Sequence, residues 1–272
     1  MGQALKRTGA LIGLTLLFAA GLAAWRGAED ALQFLAGYVI ELSLSMDNVF
    51  AIALIFNYFA VPPEFRHRAL NWGILGAVAM RSTIILAGAA LVERFHWLLY
   101  AMGAFLLFTG VKWAVARGDP VRLRDNAVVR GARRLFPVTS GFEGGKFFAR
   151  VNGRRALTPL FLALLMVETT DILFAVDSIP AVFAVTQNAF IIITSNLFAI
   201  LGLRSLYFVL VGAMGRFRHL KRGLACVLIF VGAKMLLAYW WHLPTGWSLF
   251  GVAVILGGSM LLSGRPPARK PQ

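Results

Sequence analysis

Five carboxylates lie inside long apolar stretches of this sequence, where ionised side chains are rare. They are Glu41, Asp47, Glu168, Asp171 and Asp177. A charge at the centre of a membrane-spanning helix costs about 2.5–3.5 kcal/mol on insertion scales, so such groups face a polar interior and find partners. Carboxylates in this setting bind hard cations or carry protons. The alternative is that all five only form structural ion pairs.

Four basic residues in apolar stretches are candidate partners for these acids: Arg81, Arg204, Lys112 and Lys234. We expect them to act as counter-ions or gates, because an unpaired buried charge costs several kcal/mol. The two lysines lie nearer the ends of their stretches, from which an ammonium group can also reach the membrane interface. Five acids against four bases leave the ion-pair alternative open, but the clustering of the acids on two segments favours a binding site.

The spacing of the acids constrains their geometry. Glu168 and Asp171 are three residues apart and share a helix face, so both can reach one ion. Glu41 and Asp47, six residues apart, diverge by about 120° on an ideal helix. Pro180 interrupts backbone hydrogen bonding, and the serine and threonine hydroxyls beside the acids can satisfy loosened backbone. We therefore predict kinked or broken helices that expose carbonyl oxygens beside the acids, with a long tilted helix as the alternative.

The available donor atoms indicate which ligand fits. Carboxylate and carbonyl oxygens, together with the amide of Asn48, suit hard divalent cations such as manganese, calcium and magnesium. Zinc and copper favour histidine and cysteine, but the four histidines lie near predicted span ends and Cys226 is the single cysteine. Met46 offers a thioether that would slightly favour manganese, although such methionines more often pack. Protons are a second ligand of buried carboxylates.

The composition predicts the elements that carry these residues. Of 272 residues, 59% are hydrophobic and 14% are charged, against roughly 45–50% and about 25% in soluble domains. The mean hydropathy is +0.74. One cysteine excludes a disulfide scaffold, and 22 phenylalanines and 7 tryptophans exclude a disordered chain. We predict an all-α, polytopic membrane helical bundle.

Eight stretches are long and apolar enough to be membrane spans. The predicted spans are Thr8–Trp25, Ala31–Val61, Trp72–Val92, Phe95–Ala116, Pro159–Thr186, Ala189–Met214, Leu224–His242 and Gly246–Leu262. The first also has signal-peptide features, but its length favours a retained helix.

Basic residues in the loops predict the orientation. Twenty-one lysines and arginines fall on one side of the predicted spans and two on the other. By the positive-inside rule, both termini are expected in the cytoplasm, with the chain in the cytoplasmic membrane. The net charge of +15 is therefore mainly an orientation signal, and we predict no nucleic-acid partner.

The connector 117–158 is the one large polar segment and holds ten basic residues. We predict a flexible basic cytoplasmic linker lying near anionic membrane lipid. A gating or partner-binding loop is the alternative.

Two halves of the sequence match in order. In the first half, Arg81 follows Asp47 by 34 residues, and the lysine of a Gly-x-Lys motif, Lys112, follows Arg81 by 31 residues. In the second half, Arg204 follows Asp177 by 27 residues, and the lysine of another Gly-x-Lys motif, Lys234, follows Arg204 by 30 residues. Because each unit has an odd number of spans, the second copy enters the membrane from the opposite side. The sequence therefore predicts an inverted-topology repeat of two three-helix units, which is an architecture typical of secondary transporters. The predicted parts are an N-terminal span 1–30, a first repeat 31–116, the linker 117–158, a second repeat 159–243 and a C-terminal span and tail 244–272.

These segments resemble the TerC/Alx family of bacterial membrane proteins, within the wider LysE-type transporter group. The resemblance covers roughly residues 35–245 and is carried by ELSLSMDNVF at 41–50, VETTDILFAVDSIPAVFAVT at 167–186 and TSNLFAILGLRSLYF at 194–208. Members of this family are linked to manganese export and manganese homeostasis. The resemblance implies that the five acids are metal ligands, with Glu168 and Asp171 forming the family's Glu-x-x-Asp pattern.

The acids and the repeat predict a cation transporter, and the resemblance implies that the cation is manganese(II) and that it is exported. We expect coupling to protons or membrane potential, with the metal as cargo and no cofactor. Phosphate-binding, dinucleotide-binding and nucleophile–histidine motifs are absent from the sequence, so we predict that the chain is not an enzyme. The alternatives are an exporter of another substrate, such as calcium, a tellurium oxyanion or an amino acid, and a non-transporting membrane assembly factor.

Overall fold

The computed structural model describes residues 2–115, 126–151, 153–211, 220–238 and 245–263. Nine α-helices lie within these ranges. In chain order they are α1 (Gly2–Arg26), α2 (Ala28–Tyr58), α3 (Pro63–Arg94), α4 (Trp97–Val115), α5 (Ala127–Leu135), α6 (Pro159–Phe183), α7 (Ala189–Val211), α8 (Leu220–Leu237) and α9 (Thr245–Ser263).

Each of the eight predicted spans coincides with one of these helices, which confirms an all-α membrane bundle. By length and composition α1–α4 and α6 can cross a membrane, and α7–α9 each contain a shorter apolar stretch. Helix α3 starts nine residues before the predicted span. Its first turns carry Glu64, Arg66 and Arg68, which lower the local hydropathy without interrupting the helix, and proline is favoured at a helix start.

The predicted breaks in the acid-bearing helices are wrong. Helix α2 is continuous over 31 residues, and α6 continues through Pro180. The hydroxyl groups expected to replace lost backbone bonds instead donate to carbonyls of intact helix: Ser43 Oγ to Val39 O at 2.6 Å and Thr170 Oγ1 to Met166 O at 2.7 Å. The acids therefore project from unbroken helices, as in the long-helix alternative.

The helices pack so that α2 and α6 meet at the centre of the bundle. Helix α2 contacts α1, α6, α7 and α9, while α3 contacts α6 and α7. Helices α4 and α8 pack closely along each other. The inverted repeat stays a prediction, but α4 and α8 are the third helices of its two proposed units.

Glycines allow the close approach of α4 and α8. A Cβ atom at Gly232 would lie 2.6 Å from Leu107 N and 2.8 Å from Gly103 O. At Gly110, it would lie 2.8 Å from Ile229 N. Both glycines belong to the Gly-x-Lys motifs of the sequence repeat. Small residues at such positions let membrane helices pack backbone to backbone.

We expect Gly232→Ala to lower the free energy of unfolding in detergent by about 1–3 kcal/mol, because the added methyl group overpacks a backbone contact. Gly257 on α9 is the matched control, since a Cβ there meets no atom within 4 Å. Thermal or denaturant unfolding of the two variants beside the wild type makes the measurement. Equal stability of the two variants would contradict the close packing of α4 on α8.

The connector contains ordered structure, so the expectation of a flexible linker is wrong for its described part. Asn126 caps α5 by accepting from Val128 N and Val129 N, and its Nδ2 donates to Thr169 Oγ1 of α6 at 2.8 Å. A 3₁₀ helix, Glu143–Gly145, precedes an antiparallel hairpin of β1 (Phe148–Val151) and β2 (Arg154–Leu157). The cap at Asn126, the amphipathic helix α5 with Val129 buried, and the hairpin pairing give this part of the connector its local order.

Candidate cation-binding site

A single arginine, Arg81 of α3, lies at the junction of α2, α3 and α6 with its side chain 1% exposed. Its Nη1 donates to Glu41 Oε1 of α2. Its Nη2 and Nε donate to the two carboxylate oxygens of Asp171 on α6, at 2.7 and 2.9 Å. This bidentate geometry is the strong form of an arginine–carboxylate pair. Arg81 therefore links three helices through two acids from different halves of the chain.

Two neutral polar groups extend this cluster. Asn48 Nδ2 donates to Asp171 Oδ1 at 3.1 Å, and Arg81 Nη1 donates to Ser178 Oγ at 3.5 Å. Both side chains are buried. Asn48 is one of the residues predicted to coordinate a cation, whereas Ser178 was expected only to satisfy loosened backbone.

Three buried oxygens on α2 have no hydrogen-bond partner among the described residues. They are Glu41 Oε2, Ser45 Oγ and Asn48 Oδ1. Their residues are four and three positions apart, so they share one helix face. An unsatisfied buried polar atom costs about 1–3 kcal/mol. These atoms can accept hydrogen bonds from water or coordinate a cation.

A small cavity adjoins this cluster and brings in a third acid. Its polar lining residues are Glu41, Asn48, Arg81, Asp177 and Ser178. Thr109 and Lys112 of α4 lie within interaction range of the Asp177 carboxylate. Three of the five predicted ligands, Glu41, Asp171 and Asp177, are therefore gathered around Arg81. Their role as metal ligands stays a prediction.

Glu168 lies on α6 one turn before Asp171, with its carboxylate against α3. A Cβ at Gly76 would be 2.7 Å from Glu168 Oε2. The Glu168 carboxylate also lies within electrostatic range of Asp171, which itself binds Arg81. That both acids reach one ion stays a prediction.

Lys234 also differs from its predicted role as counter-ion or gate. Its Nζ donates to the carbonyl of Ala184 at 3.4 Å, and Ala184 is the C-terminal capping residue of α6. A cation is favourable at this place because the carboxyl end of a helix carries partial negative charge. Lys234 therefore contacts a helix end. It forms no ion pair with the four of the five acids whose side chains the structure describes.

Two predicted residues cannot be placed in the site. Asp47 lies on α2 and Arg204 on α7, but their side chains are outside the described residues. Within the rest, no group of three or more His, Cys, Asp or Glu is arranged to hold a metal ion. The reason is visible at the centre, where the guanidinium of Arg81 stands between Glu41 and Asp171.

Comparisons with known proteins cover most of the chain. A family model described as "Integral membrane protein TerC family" matches residues 26–266. The "Uncharacterized membrane protein STKORF319" of Myxococcus xanthus is 48% identical over 96% of this chain and 82% of its own length. The "Putative membrane-bound redox modulator Alx" of Escherichia coli K12 is 49% identical over 83% of this chain and 71% of its own length.

A chloroplast protein is similar as well. The "Thylakoid membrane protein TERC, chloroplastic" of Arabidopsis thaliana is 42% identical over 95% of this chain and 67% of its own length. No solved structure matches the chain.

Proposed function

Because the chain belongs to the TerC family of integral membrane proteins, we propose that it is a secondary transporter of hard divalent cations, above all manganese(II). The observation that carries the proposal is the set of buried oxygen atoms around Arg81, three of which have no partner among the described residues. Oxygen atoms of carboxylates, amides and hydroxyl groups are the ligands that such cations prefer.

Charge balance gives Arg81 its part in the proposed cycle. With both acids ionised, Glu41 and Asp171 carry two negative charges and Arg81 one positive charge, so the cluster is one charge short of neutral. A divalent cation in place of the guanidinium would balance both carboxylates. We propose that Arg81 neutralises the acids while the site is empty and moves aside when the cation binds, so that no acid stays buried and unpaired.

The donor set supports a hard cation over softer metals and anions. Cys226 is exposed on α8, and His67 lies near the start of α3, so neither belongs to the cluster. Two of the three partnerless atoms, Glu41 Oε2 and Asn48 Oδ1, can only accept hydrogen bonds. The guanidinium of Arg81 is already bound to two acids. Both observations disfavour a tellurium oxyanion. The choice of manganese among the hard cations and the outward direction of transport follow the family resemblance. The location in the cytoplasmic membrane with both termini inside follows the distribution of basic residues in the loops.

A redox role is the second candidate, because the Escherichia coli relative is named a redox modulator. A thiol–disulfide mechanism within one chain needs two cysteines, and this sequence contains only Cys226. The chain therefore favours cation movement over thiol exchange.

We expect purified protein in liposomes to carry manganese(II), and Asp171→Asn to reduce that flux about tenfold or more, because the amide lacks the charge that attracts the cation. Quenching of an enclosed manganese-sensitive dye measures the flux. Asp30→Asn is the matched control, since Asp30 forms an ion pair only with Arg26 at a partly exposed position. Absence of flux in the wild type, or equal loss in both variants, would reject the proposal.

A further inference from the structure

The hairpin of β1 and β2 carries two arginines directly opposite each other. Its register pairs Arg150 with Arg155, and Phe148 with Leu157. Both arginines are exposed, and neither forms an ion pair with an acid among the described residues. Like charges that face each other across a strand pair are destabilising. An anion held between the two guanidinium groups would remove this repulsion.

The surroundings of this arginine pair are basic as well. From residue 126 to residue 158 the sequence holds seven lysines and arginines and one acid, Glu143. Lys146 is exposed just before β1. Arg68 of α3 lies over the ring of Phe147, with its guanidinium carbon 5.4 Å from the ring centroid. The partner that complements this surface is therefore negatively charged.

Aromatic contacts place the hairpin at the membrane boundary. Phe148 packs on Phe161 in the first turn of α6, with ring centroids 4.8 Å apart. Phe147 meets Trp72 of α3 edge-on, with ring centroids 6.3 Å apart. Trp72 is 53% exposed and begins a predicted span, and tryptophan is enriched at the membrane–water interface. The hairpin therefore begins at the level of the lipid head groups.

The hairpin is apolar near α6 and cationic further out. Phe148 and Arg150 lie on the same face of β1, because side chains alternate along a strand. Phe148 is 55% exposed, and the arginine pair follows about 7 Å further along the strand. This order matches a phospholipid, in which the acyl chains adjoin the phosphate. Arginine binds phosphate strongly because its guanidinium group donates two parallel hydrogen bonds.

We propose that Arg150 and Arg155 together bind the phosphate of an anionic membrane phospholipid, with Phe148 against its acyl chains. The positive-inside rule predicts a cytoplasmic hairpin, and the cytoplasmic leaflet carries anionic lipid. An anionic lipid is favoured over phosphatidylcholine, because the choline group of the latter is itself a cation. The bound lipid fixes the connector to the membrane beside α6. This site does not depend on which ion the protein carries.

Native mass spectrometry of the full chain in detergent tests the site, with phosphatidylglycerol as the probe. We expect Arg150→Gln with Arg155→Gln to weaken binding of the first phosphatidylglycerol about tenfold or more, because charge-assisted hydrogen bonds to its phosphate are lost. Arg94→Gln with Arg134→Gln is the matched control, since it removes two exposed positive charges outside the hairpin. The hairpin variant relieves a like-charge contact, so unfolding does not account for its loss of binding.

The other outcomes would overturn the proposal. Equal affinity of the wild type and the hairpin variant would mean that the arginine pair binds no lipid. Equal weakening in both double variants would mean that only the total charge attracts the lipid. Equal binding of phosphatidylcholine and phosphatidylglycerol would reject an anionic ligand. Displacement of phosphatidylglycerol by an equal concentration of inorganic phosphate would assign the pair to soluble phosphate instead of lipid.

Discussion

Arg81→Gln should lower the free energy of unfolding by about 3–5 kcal/mol and abolish cation transport. The change removes the guanidinium that binds Glu41 and Asp171 and leaves two buried carboxylates side by side without a cation. Breaking a buried ion pair by removing one partner costs this much because the remaining charge is uncompensated. Chemical unfolding in detergent and flux in liposomes measure the two effects.

Arg94→Gln is the control on the same helix, since Arg94 lies exposed at the end of α3. We expect that change to alter stability by no more than about 0.5 kcal/mol, as is usual for surface positions. If Arg81→Gln were as stable and as active as Arg94→Gln, the counter-ion role of Arg81 would be wrong.

Neutralising the whole cluster distinguishes folding from transport. Replacing a complete buried ion pair with well-packed hydrophobic residues of similar volume is often harmless to stability. We therefore expect a triple variant, Arg81→Met with Glu41→Met and Asp171→Leu, to recover most of the lost stability but none of the transport. Recovery of both would mean that these acids serve the fold alone.

The sequence predicted the membrane helices and the polar cluster better than the pairing inside it. The positions of the spans follow from hydropathy. Because an unpaired buried charge is costly, Arg81, Glu41 and Asp171 were expected to form ion pairs inside the bundle. Helical spacing could not show which acid Arg81 would bind, because the three residues come from three helices. Their contacts depend on how α2, α3 and α6 cross.

One local rule misled. Serine and threonine hydroxyls beside the acids were interpreted as partners for loosened backbone, but hydroxyl groups also bond within an intact helix, as at Thr170. The spacing of Glu168 and Asp171 stays compatible with a common ligand, since the two carboxylates lie within electrostatic range of each other.

The second large effect is expected in living cells. Cells expressing the wild-type chain should hold several-fold less manganese, and tolerate more of it outside, than cells with Asp47→Ala or Asp177→Ala at matched membrane expression. Asp177 lines the cavity beside Glu41, and Asp47 is its partner in the sequence repeat. Loss of either carboxylate would remove a hard oxygen ligand and a negative charge from the proposed cation site.

Elemental analysis of washed cells tests this expectation, with Glu93→Ala as control because Glu93 is exposed near the end of α3. Zinc and copper contents should change little, since oxygen ligands do not favour these softer metals. Higher manganese in wild-type cells than in the variants would reverse the direction of transport. Equal manganese in all strains would reject the transporter itself, and the Arg81 cluster would then serve only to hold α2, α3 and α6 together.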